Sequence, residues 1–195
     1  MDAENVAQMF WNGVRERGSQ VTLRQKQFGI WQAVTWTELG RAAREVGMGL
    51  VSLGFEPGET ASIQANTNRE WLYADLGILC AGGVSNGIYP TDAAAQTEYL
   101  MSDSSSVYLF VEDEEQLDKA LEARGRLPGL RKIIVFDMEG LRDLDDPQVM
   151  SLNDLRALGA DYDARHPGEF ERHESRWISP SSSTPRAPPA GPKAR

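Results

Sequence analysis

The stretch Val107–Phe136, VYLFVEDEEQLDKALEARGRLPGLRKIIVF, decides how the chain is read. It opens on five consecutive apolar residues, Val107 to Val111, and closes on Ile133 to Phe136 behind Lys132. Short apolar runs of this kind suit strands buried on both faces. Between them lies a helical segment, Glu114 to Arg124, charged on its outer side. Strand, helix and strand in that order predict two parallel strands joined by a crossover helix.

The same unit repeats upstream. Leu39, Ala43, Val46, Leu50 and Leu53 line one face of a helix that Thr37 caps and Gly54 ends. A short strand over 60–65 follows. Asn66-Thr67-Asn68 then caps a helix from Arg69 to Ala81, and Gly82-Gly83 separates it from a strand over Val84–Ile88. A helix from about Asp92 to Ser102 leads into Val107. Strands at 60–65, 84–88, 107–111 and 132–136 with helices between them predict an α/β fold: a mostly parallel sheet covered on both faces. Ahead of this lie a helix over Asn5–Arg17 and a hairpin, with Val21 and Leu23 on one arm, a Gln27-Phe28-Gly29 turn, and Ile30–Trp36 on the other. Trp31 and Trp36 fall on opposite faces of that second arm, which suits core or edge packing better than a stacking platform. Beyond Asp137 the signals thin. Ser151 caps a short helix to Leu158, with Asp154 in the reciprocal position, and 160–175 reads as a polar surface connection.

Composition narrows the function. The chain has 195 residues, 41% apolar, and a net charge of −9. Its last twenty residues carry Arg176, Arg186, Lys193 and Arg195 and no acid, so residues 1–175 lie thirteen charges to the negative side. An acidic body of this kind argues against nucleic acid as a partner. The single cysteine, Cys80, cannot form an intramolecular disulfide and suits a reducing compartment; it sits in an apolar helical pattern and reads as a packing thiol rather than a nucleophile. His166 and His173 are too few to hold a metal and read as surface residues. No apolar run reaches transmembrane length and no signal peptide is visible.

The end of the chain, Trp177–Arg195, reads WISPSSSTPRAPPAGPKAR and holds Pro180, Pro185, Pro188, Pro189 and Pro192, five of the ten prolines. With no bulky apolar residue after Ile178 it predicts a disordered, partly polyproline segment. The expected organisation is therefore an α/β body over 1–175 and a disordered tail over 176–195.

Several in-frame segments carry a family resemblance. Gly29-Ile30-Trp31 with Thr35-Trp36-Thr37-Glu38-Leu39 resembles the amino-terminal hairpin and helix start of AMP-forming acyl-CoA synthetases. Leu53-Gly54-Phe55-Glu56-Pro57-Gly58-Glu59 resembles their LG-x-x-x-GD turn, with Glu59 where Asp is commoner. Asn66-Thr67-Asn68-Arg69-Glu70-Trp71 resembles their N-x-x-E-W helix start. Gly87-Ile88-Tyr89-Pro90-Thr91 and Val107–Lys119 look most like the long-chain fatty-acid branch. The likeness covers roughly residues 5–160. None of these segments carries chemistry; they serve turns, caps and packing. Tyr89, near a strand's carboxyl end, is read either as a packing residue or as lining a ligand crevice.

The resemblance implies fatty-acid activation: a carboxylate and ATP give an acyl-adenylate and pyrophosphate, and the acyl group passes to coenzyme A. It implies ATP, Mg²⁺ and coenzyme A as cofactors of the intact enzyme, and a cytoplasmic location, peripheral to the membrane. The chemistry needs backbone N–H donors and a Lys about the phosphates, with Mg²⁺ to neutralise charge. That loop is missing here. Codons for Ser183–Arg195 exist that, read two bases further on, spell YTSGTTGRPKGA, which resembles the family's phosphate loop. The expectation is a slip of reading frame near Glu169–Trp177. The prolines that replace the loop donate no N–H, and Lys193 has no loop to hold it. No catalytic, cofactor-binding or metal residue, and no bound cofactor, is therefore expected of this chain.

Two functions follow. One is an amino-terminal fragment of a long-chain fatty acid–CoA ligase, inactive alone, its partner the missing remainder. Its truncated sheet should leave an open edge and bare apolar faces that favour self-association. The other is a non-catalytic interaction module whose tail offers Pro185–Pro188 and Pro189–Pro192 to a groove that reads polyproline.

Overall fold

A computed structural model describes residues 5–177. Helix α1 (Val6–Arg17) leads into the antiparallel hairpin of β1 (Val21–Gln27) and β2 (Ile30–Thr35), then α2 (Trp36–Ser52). The parallel sheet begins at β3 (Thr60–Gln64). It continues through α3 (Arg69–Cys80), β4 (Val84–Ile88), α4 (Ala94–Asp103), β5 (Ser106–Val111), α5 (Glu114–Ala123), β6 (Lys132–Val135) and β7 (Val149–Ser151), and α6 (Leu152–Arg165) and α7 (Glu169–Trp177) follow. Strand order is β4-β3-β5-β6-β7, every pair parallel.

The apolar runs behave as two-faced strands. Ile63, Tyr108, Phe110 and Ile134 pack with Val46, Leu50, Ile78 and Leu155 of α2, α3 and α6. Their neighbours Leu109, Val111, Ile133 and Val135 pack on the other face with Met101, Leu117 and Ala120 of α4 and α5. A third cluster sits outside α2 and α3, where Phe10, Met48, Leu76, Cys80 and Phe170 meet. The bare sheet faces expected of a truncated fold are not found on the central strands, whose residues here are fully buried, although Val84 of β4 is 51% exposed. The open edges are there, since β4 and β7 each pair on one side only within the described sheet.

Helix α2 is the hub. It touches α6 so closely that a Cβ on Gly159 would lie 1.8 Å from the Glu45 carbonyl oxygen, and one on Gly49 would lie 2.5 Å from that of Leu155. Backbone meets backbone there, and only glycine leaves room.

Four expectations need correction. The cap of α2 is Thr35, not Thr37. Its hydroxyl accepts from Glu38 N at 3.2 Å, and Glu38 returns a carboxylate oxygen to Thr35 N at 2.8 Å. Trp36 therefore opens the helix rather than ending a strand. Residues 160–175 are no surface connection: α6 runs to Arg165, α7 starts at Glu169, and Phe170 is fully buried against Trp11, with ring centroids 4.8 Å apart. His173 is buried as well, whereas His166 is exposed. Strand β7 was not foreseen; Val149 and Met150, between an Asp-Pro turn and the Ser151 cap, extend the sheet by one strand.

Candidate functional site

In a parallel sheet the crevice for ligands opens outside the carboxyl ends of the strands, where neighbouring connections leave to opposite faces. Here that point is between β3 and β5. The chain leaves β3 through α3, which packs on α2, whereas β5 leads into α5, which packs on α4. A cleft of about 640 Å³ lies at this point. Its floor is Asn68, Glu112, Asp113, Phe136, Asp137 and Leu152, all at or just past strand ends. Its walls are α2 (Glu38, Arg41), α3 (Arg69, Glu70, Tyr73) and α6 (Asn153, Arg156), and Gln25, Gln27 and Gln32 of the hairpin form its roof.

Side chains tie the cleft together. Glu112 accepts from Asn66 N and Nδ2 at 2.7 Å each and from Asn68 Nδ2 at 3.3 Å, which pins the β3–α3 turn to the end of β5. Arg69 N donates to Gln25 Oε1 at 2.7 Å and so fixes the hairpin over the cleft. Arg69 also donates to Glu70 at 2.6 Å, which holds its guanidinium above the usual arginine range. Burial pushes the Tyr73 phenol up, so it stays protonated at neutral pH. Bonds from Thr35 N and its hydroxyl hold the Glu38 carboxyl below the usual carboxylate range.

Three helices start at the cleft, and each cap side chain already serves its own helix. Asn68 accepts from Trp71 N at 2.8 Å, Asp113 from Glu115 N at 2.9 Å, and Ser151 from Asp154 N at 3.0 Å. The lining holds Glu38, Glu70, Glu112, Asp113 and Asp137 against Arg41, Arg69 and Arg156. Among the described residues no group of three or more His, Cys, Asp or Glu could hold a metal ion. Such a cleft can bind polar matter through amides, carboxylates and guanidinium groups.

The residues weighed from sequence fall elsewhere. Tyr89 is 77% exposed at the end of β4, so it is not a packing residue, and it stands apart from the cleft lining. Cys80 is fully buried and burial pushes its thiol far up, as suits a packing role. Trp31 is 65% exposed, whereas Trp36 covers Gly13 and takes the Arg17 guanidinium 5.1 Å from its ring. Lys193 and both proline motifs lie outside the described residues. The sequence reading did not find the cleft, because its lining comes from five separated segments. A signal was present in Gln25, Gln27 and Gln32, which alternate on one face of the hairpin where apolar residues would otherwise pack.

Among the described residues no helix is long and apolar enough to cross a membrane. A long-chain-fatty-acid–CoA ligase of Mycobacterium bovis is 32% identical over 142 residues, covering 73% of this chain and 24% of the relative. Another, from Xenopus laevis, is 30% identical over 156 residues, covering 80% of this chain and 21% of the relative. The chain thus spans about a quarter of the length of the curated relatives it matches. An anthranilate CoA ligase solved with anthranoyl-AMP superposes with a TM-score of 0.68 at 23% identity, over 77% of this chain and 27% of that one. An acetoacetyl-CoA synthetase from Streptomyces lividans gives 0.68 at 22% identity, over 77% and 24%. These likenesses speak for the fold. The sequence model of the AMP-binding enzymes matches residues 10–182, most of the chain, and by that match the chain belongs to the AMP-binding enzyme family.

Proposed function

We propose that the chain is the amino-terminal part of an ATP-dependent long-chain fatty acid–CoA ligase, and that it is inactive by itself. The observation that carries this reading is the lopsided coverage: relatives at 30–32% identity match over 73–80% of this chain but over only 21–24% of their own length. ATP, Mg²⁺ and coenzyme A belong to the whole enzyme. The described cleft does not fit them. It is lined by more carboxylates than guanidinium groups, and each of its three cap side chains takes up one of the helix-start N–H donors that a phosphate would use. No step of the reaction is therefore assigned to its residues. In this reading the partner is the rest of the synthetase, which would take up the open edges of β4 and β7, and the location is cytoplasmic, peripheral to the membrane in the intact enzyme.

The test is fatty-acid-dependent exchange between pyrophosphate and ATP by the purified chain. Background exchange is expected; robust exchange that needs a long-chain fatty acid would overturn the claim of inactivity. Sequencing the coding region tests the frame slip: a continuous frame with unrelated codons would remove it.

A second reading, a non-catalytic interaction module, draws support from the closure of the body. Both faces of the central strands are covered and Phe170 packs in the cluster that joins α1 to α2. Sharp, reversible unfolding of a monomer would favour this reading over the fragment.

A further inference from the structure

The tip of the hairpin places apolar residues where the fold gains nothing from them. Phe28 and Gly29 form the two-residue turn between β1 and β2, both with positive φ, 49° and 81°. Such turns favour Asn-Gly because a bulky side chain strains the first position. Phe28 holds that position while 95% exposed, beside Ile30 and Trp31 at 65% each. Neither Phe28 nor Trp31 stacks on another aromatic ring among the described residues.

Charge says what the tip faces. No acid occurs between Glu16 and Glu38, and the hairpin carries Arg24 and Lys26, both exposed. Lys26 stands directly across from Trp31, and Arg24 shares its face, turned away from the glutamines that roof the cleft. Neither cation has an acidic partner among the described residues, although the 1–175 body is strongly acidic. A cationic, aromatic-tipped hairpin on an acidic body is complementary to an anionic surface with an apolar interior. The rest of the 1–175 body would be repelled, so within that body the tip is the part that can approach.

We propose that the hairpin tip is a membrane anchor: Phe28, Ile30 and Trp31 enter the interface of a bilayer bearing anionic phospholipids, and Arg24 and Lys26 sit among the headgroups. Aromatic residues settle at that depth, and basic side chains beside them add attraction to anionic lipid. The ligase reading already implies a place peripheral to the membrane; the proposal goes beyond it by assigning the site, and needs no catalytic activity.

The test is flotation of the full chain with vesicles of phosphatidylcholine alone or with about one-third phosphatidylglycerol. Binding to the phosphatidylglycerol vesicles is expected. R24Q/K26Q should weaken it on the order of tenfold, and F28S/I30S/W31S should weaken it on the order of a hundredfold, with the circular dichroism spectrum unchanged. Brominated lipid should quench the wild-type fluorescence more than that of W31F. Absence of binding, equal binding to both vesicle types, or binding that survives the triple substitution would overturn the proposal; the last would assign it to the basic tail. Loss of a vesicle-free dimer on F28S would also overturn it, by making the tip a contact between copies of the chain.

Discussion

Strand β5 and strand β2 use similar residues to opposite ends. Phe110 in β5 is fully buried, with α2 and α6 on its face and α5 on the other. Trp31 in β2 is 65% exposed, although Val34, three residues on, is buried. The difference lies in the neighbours, since β5 is the middle of five strands and β2 belongs to a ribbon of two. A two-stranded ribbon is marginal by itself. This one persists because Gln25 and Val34 dock on α3 and α2. Apolar character in the sequence marks what can be buried; the layer above a strand decides what is.

That contrast can be broken from the body outward. Gly159→Val should act most strongly, because its side chain would meet the Glu45 carbonyl, and α6 could stay only by lifting off α2. Loss of cooperative folding is expected, on the order of 5 kcal/mol, read by denaturant unfolding; a drop under about 1 kcal/mol would show that the helices are not in such contact. Phe170→Ala should cost about 3–5 kcal/mol and also uncover its cluster neighbour Cys80. The wild-type thiol should resist a thiol reagent until the protein unfolds, and the variant should label faster. Equal labelling would mean that α7 does not seal that cluster.

Smaller effects are expected where the hairpin joins the body. Thr35→Ala removes the α2 cap and should cost about 1 kcal/mol in thermal or denaturant unfolding. It should also raise the Glu38 carboxyl part of the way toward its ordinary value: the larger hold, the bond from Thr35 N, survives in the variant, and only the hydroxyl's bond is lost. A carboxyl depressed on folding stabilises at pH values above its unfolded range and loses that contribution as pH falls through its folded value. The variant should therefore lose part of the acid limb of its stability curve, and NMR titration of Glu38 gives the direct reading. The smallest effect belongs to Trp31→Ser, within about 0.5 kcal/mol, since that side chain is 65% exposed. A loss comparable to that of Phe170→Ala would place Trp31 in the core and erase the contrast.

What the sequence determined by itself was local. Asn68 and Ser151 cap their helices where the pattern put them, and β4 spans Val84–Ile88 as expected. The unbroken apolar runs along β5 and β6 named residues that are buried on both faces. Such signals need only neighbours in the chain: a hydroxyl or amide three residues before an N–H, or a short unbroken apolar run. Tertiary structure decided the rest. The order β4-β3-β5-β6-β7 depends on which face each crossover helix takes. Strand β7 is three residues long and exists because β6 offers an open edge. Helix α7 looked like a polar connection because one apolar residue, Phe170, carries its docking between Trp11 and the Arg44 guanidinium, with the ring 4.3 Å from Arg44. The cleft assembles from segments up to 131 residues apart, Gln25 to Arg156, and no local pattern reports a distance of that kind.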